Sequence, residues 1–253
     1  MSSASEKFAT FAALHRPGDP VVLYNIWDPG SAKAVAEAGA KALATGSASV
    51  AAANGFGDGE GLPIEVALAN AARIAAAVDL PVTVDFEGGY AVAPEEVAAN
   101  LKRLADTGAI GCNFEDQIVG SDGLHAIPDQ VARIRAAREA VGAGFFINAR
   151  TDIFLKAKPD THDDAKVDQA IERAEAYADA GASGFFVPGL ANLALLERVC
   201  AASPLPVNFM AFPGAPSGAD VAGVGIARIS HGPFPFMDAM KALTEAARKI
   251  YAG

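Results

Sequence analysis

The feature that most limits what this chain can become is a rhythm. Eight short runs rich in β-branched and aromatic residues are each followed by an alanine-rich stretch of helical spacing. The runs are VVLYNIW (21–27), ALATGS (42–47), PVTVDFE (81–87), IGCNFED (110–116), FFINARTD (145–152), GFFVPG (184–189), PVNFMAF (206–212) and GIARISHG (225–232). Strands that alternate with helices pair in parallel, because each crossover helix carries the chain back to where the next strand must start. Eight such units in 253 residues predict an α/β fold of the (β/α)8 TIM-barrel type, in a single domain over 1–253. The alternative is an open doubly wound sheet, disfavoured because the units show no glycine-rich dinucleotide turn.

Helical periodicity between the runs agrees. Val97, Leu101 and Leu104 fall on one face, as do Val131, Ile134, Ala137 and Val141, and Val167, Ala170, Ile171 and Ala174. Gly39, Gly108 and Gly181 each follow such a helix and precede another strand, so they read as C-caps. Phe8, Phe11 and Leu14 predict a short helix before the first strand. The longest segment without period, ASVAAANGFGDGEGLP (48–63), is expected to be a loop over a pocket.

Composition excludes several function classes. A net charge of −10 argues against a nucleic-acid partner, although local arginines could still bind a small anion. Cys112 and Cys200 form no C-x-x-C pair, so neither a disulfide framework nor a structural zinc site is implied. Cys112 is expected to pack as a small hydrophobe. The N-terminus lacks the basic start and apolar run of a signal peptide, and nothing reaches the length of a membrane span. These traits predict a cytoplasmic protein.

Barrel active sites lie at the C-terminal ends of the strands. There the runs stop at Asn25 and Asp28, Thr45 to Ser47, Asp85 and Glu87, Glu115 and Asp116, Arg150 and Asp152, Pro188, Asn208 and His231. Asp28, Asp116 and Asp152 each have a structural alternative as helix N-caps. Asn208 has one in bonding strand-end backbone, and His231 in shaping its Ser-His-Gly turn. Asp85 and Glu87 lie two residues apart, which in a strand puts them on one face. With Glu115 they place three carboxylates on adjacent strands, an arrangement that needs a cation. All-oxygen ligation favours magnesium, with manganese as a substitute. Asp85 would bind the ion directly, and the other carboxylates would hold its waters. Arg150 offers a fork for a substrate carboxylate or phosphonate. No lysine lies at a strand end, which disfavours Schiff-base chemistry, and Lys156 is expected to face solvent.

Five ordered motifs, VTVDFEGGYA, GCNFEDQ, INARTD, GASGFFVPG and LPVN, together with ATGSASVAAANGFGDGEGLP, resemble the isocitrate lyase and phosphoenolpyruvate mutase superfamily from about Val21 to Asn208. The resemblance implies that Asp85 coordinates magnesium while Glu87, Glu115 and Asp58 hold its waters. It implies that Thr45, Gly46 and Ser47 cradle a substrate carboxylate through backbone amides and a hydroxyl. Arg150 would anchor the 2-oxo acid end, and Asn208 would lie on the far side of the pocket. The implied chemistry is a metal-bound enolate of a 2-oxo acid, formed by breaking a bond at the adjacent carbon. Family members generally assemble as dimers or tetramers, so a homodimer or homotetramer is expected. The terminal segment FPFMDAMKALTEAARKIYAG is the candidate packing element.

Departures from the family narrow the expectation. The segment EDQIVGSDGLHAIPDQ has neither the Lys-Lys-Cys-Gly-His loop of the lyases, whose cysteine donates a proton, nor the Asn-Ser gating loop of the phosphonopyruvate mutases. Asn113 stands where many lyases have His, Glu87 replaces the more usual Asp, and Pro188-Gly189 stands where the lyases proper have a glutamate. What remains fits a magnesium-dependent lyase or decarboxylase of a small 2-oxo acid or oxaloacetate-like substrate. Solvent, His125 or His231 would protonate the enolate, with His125 otherwise a solvated loop residue. The alternatives are carbon-phosphorus cleavage in phosphonopyruvate and a non-catalytic oxo-acid-binding protein. A further metal-dependent barrel aldolase would rest on fold analogy alone.

Overall fold

A computed structural model describes residues 2–252. In chain order the elements are α1 (Ala4–Ala13), β1 (Val21–Leu23), α2 (Pro29–Glu37), β2 (Leu43–Ala44), α3 (Ser47–Ala53), α4 (Ile64–Ala77), β3 (Val82–Asp85), α5 (Pro94–Ala105), β4 (Gly111–Glu115), α6 (Ile127–Val141) and β5 (Phe146–Arg150), and then α7 (Asp164–Asp179), β6 (Gly184–Phe186), α8 (Leu193–Ala202), β7 (Val207–Met210), α9 (Gly218–Gly223), β8 (Arg228–Ser230) and α10 (Phe234–Tyr251). The strands form one parallel sheet in the order β1-β8-β7-β6-β5-β4-β3-β2. A bridge between Ile26 and Thr45 joins its two edges, so the sheet closes into a (β/α)8 barrel.

All eight runs read as strands contain one, each shorter than its apolar run. Gly39 and Gly181, with φ of 96° and 99°, lie immediately beyond the C-caps of α2 and α7, and Gly108 (φ 93°) lies two residues beyond that of α5. The segment 48–63 differs from the expectation of a plain loop. Its first residues continue α3 to Ala53, and the coil is confined to the glycine-rich remainder that carries Asp58.

Outward-facing strand residues, among them Val84, Phe86, Cys112, Phe114, Ile147 and Ala149, pack with Val97, Leu101, Ile134, Val167 and Ala170 of the surrounding helices. Cys112 is fully buried among them, as expected of a small hydrophobe. At the strands' N-terminal ends, Phe11 of α1 packs with Val21, Leu23, Ala42, Ala44, Ile110 and Phe146. Gly111 permits the close approach of β4 and β5, since a Cβ there would stand 2.6 Å from the Phe146 carbonyl oxygen.

Register then places the chemistry. Asp85 pairs with Asn113, Asn113 with Asn148, and Glu115 with Arg150. Alternation turns these residues to one side of the sheet while Val84, Cys112, Phe114, Ile147 and Ala149 face the helices.

Candidate active site

A cavity of about 710 Å3 opens at the C-terminal ends of the strands, lined by Ser47, Asp58, Glu87, Glu115, Gln117, Asp122, Arg150, Asp152 and Lys156, among others. A smaller pocket adjoins it, lined by Thr45, Ser47, Asp85, Glu87 and Tyr90. Ser47 and Glu87 line both, Asp85 lines only the smaller and Lys156 only the larger.

Asp85 ends β3, and its carboxylate is fixed from two sides. Its Oδ2 accepts from the Ser47 amide at 3.2 Å and the Ser47 hydroxyl at 3.0 Å, and Thr45 Oγ1 accepts from the Asp85 amide at 2.9 Å. The other oxygen, Oδ1, meets only a long 3.4 Å contact from Asn113 Nδ2. The Asn113 Oδ1 in turn accepts from Asn148 Nδ2 at 2.9 Å and from the buried Arg228 Nη2 at 3.2 Å.

Glu87 reaches the cavity by a route that strand alternation does not describe. β3 stops at Asp85, and Glu87 itself adopts φ 50°. Its carboxylate accepts from the Glu60 amide, and Glu60 Oε1 accepts from the Tyr90 amide at 2.7 Å. Among the described residues Glu60, Glu87 and Tyr90 are the non-glycine positions in the left-handed region, and they form one constellation. Backbone held in that region stores strain that the surroundings must enforce, and such strain gathers at functional sites. Gly89 (φ 81°) completes the turn where a Cβ would lie 3.0 Å from the Phe114 ring.

On β4 and β5, Arg150 Nη1 binds Glu115 Oε2 at 2.9 Å, while Nε and Nη2 clasp the two Asp152 oxygens at 2.6 and 3.0 Å. Asp152 is therefore the clamp of Arg150 and caps no helix. Asp116 is not a cap either. Wholly buried, it accepts from the Asp152 amide at 3.0 Å, Arg173 Nη1 at 3.0 Å and the Tyr177 hydroxyl at 2.9 Å. Only Asp28 takes the capping role, at the start of α2.

Burial works against the Arg150 charge, but Glu115, Asp152 and Asp85 outweigh it and hold its pKa above the ordinary value. Burial also lifts Glu115 well above the usual carboxylate range, with Arg150 opposing and Asp152, Asp85 and Glu87 adding to the rise. Glu87, 5% exposed, is pushed up to about 8 by burial and by the charges of Asp85, Asp58 and Glu60, against the pull of the Glu60 amide. Asp58 is raised by burial and by Asp85, opposed by a hydrogen bond from Ser47.

Magnesium takes oxygen donors, keeps several of its waters and binds through one or two carboxylates. Among the described residues no group of three or more His, Cys, Asp or Glu is placed to hold an ion directly. The donor set nonetheless fits an ion held through water. Asp85 Oδ1 is nearly uncommitted, and Asp58, Glu87 and Glu115 are further oxygen donors, their pKa values raised by burial first and by neighbouring carboxylates second.

The remaining expected residues stand differently. The amides of Thr45, Gly46 and Ser47 donate to Thr83 O, Ile26 O and Asp85 Oδ2, so no amide of that stretch is left for a substrate carboxylate. Asn208, 1% exposed, lies inside the barrel with Oδ1 facing the Ser230 hydroxyl at 3.4 Å. Neither Asn208 nor His231 lines the cavity. The His231 amide donates to Asn25 Oδ1 at 2.8 Å, and its ring sits 5.3 Å from that of Tyr24. His125 is buried, not solvated. Its amide donates to Asp116 O, its carbonyl accepts from Arg173, and burial lowers its pKa. The segment around it folds into a tight hairpin through the Gln117–Leu124 bridge. Lys156, expected to face solvent, lines the cavity and donates from Nζ to the Ser121 carbonyl at 2.8 Å. Gln117, whose amide reaches Glu115 Oε1 at 3.3 Å, and Asp122 are further wall residues that no strand-end pattern pointed to.

Fold and site together define a (β/α)8-barrel protein with an acidic, oxygen-lined cavity built around one clamped arginine. The family profile described as phosphoenolpyruvate phosphomutase matches residues 11–251, and the chain belongs to that family, within the isocitrate lyase and phosphoenolpyruvate mutase superfamily. A crystal structure from Burkholderia cenocepacia, provisionally designated a phosphonomutase, is 51% identical and superposes with a TM-score of 0.95, covering 99% of this chain and 100% of that one. An uncharacterized protein of Mycobacterium tuberculosis is 34% identical, with 96% of this chain and 90% of that protein covered. The probable 2-methylisocitrate lyase 2 of Corynebacterium glutamicum is 34% identical over 72% of this chain and 59% of its own length.

Proposed function

We propose that the protein is a magnesium-dependent lyase or decarboxylase of a small 2-oxo acid, oxaloacetate-like in character, working through an enolate. The observation that carries this reading is that Asp58, Glu87 and Glu115 line one cavity with Arg150, while Asp85 lines the adjoining pocket that shares Ser47 and Glu87 with it. Asp85 would hold magnesium through Oδ1, with Asp58, Glu87 and Glu115 ordering its waters. When bound, the ion supplies Lewis acidity toward a carboxylate and a 2-oxo oxygen.

Ser47 holds Asp85 in one orientation through two hydrogen bonds. Asp152 and Glu115 keep Arg150 charged and immobile, so its field stands ready where negative charge develops on the 2-oxo oxygen. Neither His125 nor His231 lines the cavity wall, so solvent rather than either histidine would protonate the enolate carbon. The test is a steady-state assay of oxaloacetate, phosphonopyruvate and a methylisocitrate-type acid, with magnesium and with chelator, on the unsubstituted protein and on Asp85→Ala. Turnover that needs magnesium and vanishes in Asp85→Ala is expected; metal-independent turnover, or turnover untouched by the substitution, would remove the reading.

A second reading, cleavage of a carbon-phosphorus bond, is favoured by the designation of the Burkholderia relative. Phosphate release from phosphonopyruvate without carbon dioxide from oxaloacetate would select it.

We also propose a homodimer or homotetramer. Met237, Met240, Leu243, Ile250 and Tyr251 of α10 are exposed, as are Val22 on β1 and Tyr24 just after it, which line a separate cavity of about 590 Å3 outside the barrel. A second copy of the chain would cover them. Light scattering that gives a monomer at every concentration would dismiss this. No helix among the described residues is long and apolar enough to cross a membrane.

A further inference from the structure

The cavity wall presents two cations, and only one is already matched. Arg150 directs Nε, Nη1 and Nη2 at carboxylate oxygens of Asp152 and Glu115. A guanidinium so engaged supplies field but has few donors left to grip an incoming carboxylate. Lys156 is the opposite case. Its ammonium carries three N–H donors, makes one hydrogen bond, to the Ser121 carbonyl at 2.8 Å, and has no carboxylate within ion-pair distance among the described residues. Asp122 shares the wall without pairing with it.

The position of Lys156 is equally specific. Its amide donates to the Asp152 carbonyl at 3.0 Å, which ties it to the turn that carries the Arg150 clamp. It lines the larger cavity, with Arg150 and Glu115, and not the smaller pocket where Asp85 lies. A ligand gripped beside Arg150 and Glu115 shares that cavity with the Lys156 ammonium.

We infer that Lys156 is a specificity-determining residue, its ammonium receiving the second anionic group of a dianionic substrate. This inference rests on the oxo-acid reading above and deepens it by assigning the distal carboxylate or phosphonate of such acids to one residue. Two opposite charges in a partly enclosed cavity discriminate strongly, because a neutral distal group leaves the ammonium facing nothing.

The test is calorimetric binding to the full chain with magnesium, using four inert probes: oxalate, malate, 2-hydroxybutyrate and 2-hydroxy-3-phosphonopropionate. The unsubstituted protein should prefer malate or the phosphonate to 2-hydroxybutyrate by about tenfold or more. The tighter of the two dianions identifies the distal group. Lys156→Gln keeps a donor for the Ser121 carbonyl and removes the charge, so it should abolish that preference while leaving oxalate affinity within about twofold. Lys156→Arg should restore the preference. A preference that survives Lys156→Gln overturns the inference, as does an equal loss of oxalate and malate binding, which would make Lys156 only a loop tether. If oxalate fails to bind the unsubstituted protein at all, the oxo-acid reading itself falls and the inference with it.

Discussion

The two ends of this barrel bury ionisable groups in opposite ways. At the N-terminal end His15 lies under the first strands, its ring stacked on Phe146 at 4.4 Å and edge-on to Phe11 at 4.6 Å, with Nδ1 2.8 Å from the Phe11 carbonyl. Burial, helped by the Arg228 charge and opposed by the Phe11 carbonyl, lowers its pKa to about 3. There the protein has made the group neutral. At the C-terminal end Asp85 and Arg150 are given partners instead, Ser47 for one and Asp152 with Glu115 for the other. A buried group that must only pack costs least without charge, whereas the Arg150 guanidinium is kept charged by its partners even as burial lifts Glu87 and Glu115 beside it. Substitutions at the two ends should therefore separate, the upper ones changing turnover and the lower ones changing stability.

The largest effect expected is at Asp85. Asp85→Ala removes the carboxylate that Ser47 orients with one oxygen left nearly free, and kcat should fall by about a thousandfold or more, as should activity under chelation. Melting temperature should stay close to that of the unsubstituted protein, and a large loss of stability would break the contrast between the ends. Arg150→Lys comes next. An ammonium cannot clasp both Asp152 oxygens while also reaching Glu115, so kcat should drop by about a hundredfold. Activity unchanged in that variant would show that the field at the strand-five end is not used.

This division was partly legible in the sequence. Asp85, Glu115 and Arg150 could be found because each ends a short apolar run, and register across parallel strands brings such ends together. Glu87 was found for an incomplete reason. It faces the cavity through a left-handed turn, and two-residue alternation does not extend past Asp85. For Asp152 and Asp116 a site role and a helix cap could not be told apart, because a lone Asp after a strand carries no mark of its partner. Only tertiary packing reveals that one clamps Arg150 and the other joins Arg173 to Tyr177. Lys156, Gln117 and Asp122 were missed because the direction of a loop side chain depends on the path of its loop, which periodicity does not encode.

At the lower end the expected signal is a pH slope. In the unfolded chain His15 should titrate near its ordinary 6.5, and in the folded protein near 3. Above pH 6.5 neither state is protonated and the stability is complete. As pH falls below 6.5 the unfolded chain takes up a proton that the folded protein refuses, so stability is lost at about 1.4 kcal/mol per pH unit. His15→Phe keeps the aromatic contact and removes the titration, so denaturant midpoints measured between pH 6.5 and 4 should fall less steeply than in the unsubstituted protein. Parallel slopes would mean that His15 is protonated in place, and the contrast between the ends would lose its lower half.

The smallest effect sharpens the upper half by asking how far around the rim the chemistry extends. His231 stands at the end of β8, on the same rim as Asp85, yet its contacts are the Asn25 side chain, the Leu23 carbonyl and the Tyr24 ring. Its link to Asn25 runs through the backbone amide, which any replacement retains. His231→Gln should therefore leave kcat and KM within about threefold, the range of substitutions that touch no reacting group. A loss comparable to that of Arg150→Lys would carry the functional surface past β5 to the β8 and β1 side and give the enolate a protein proton donor. A neutral result would confine the chemistry to the arc from β2 to β5, where every carboxylate of the cavity and its clamped arginine lie.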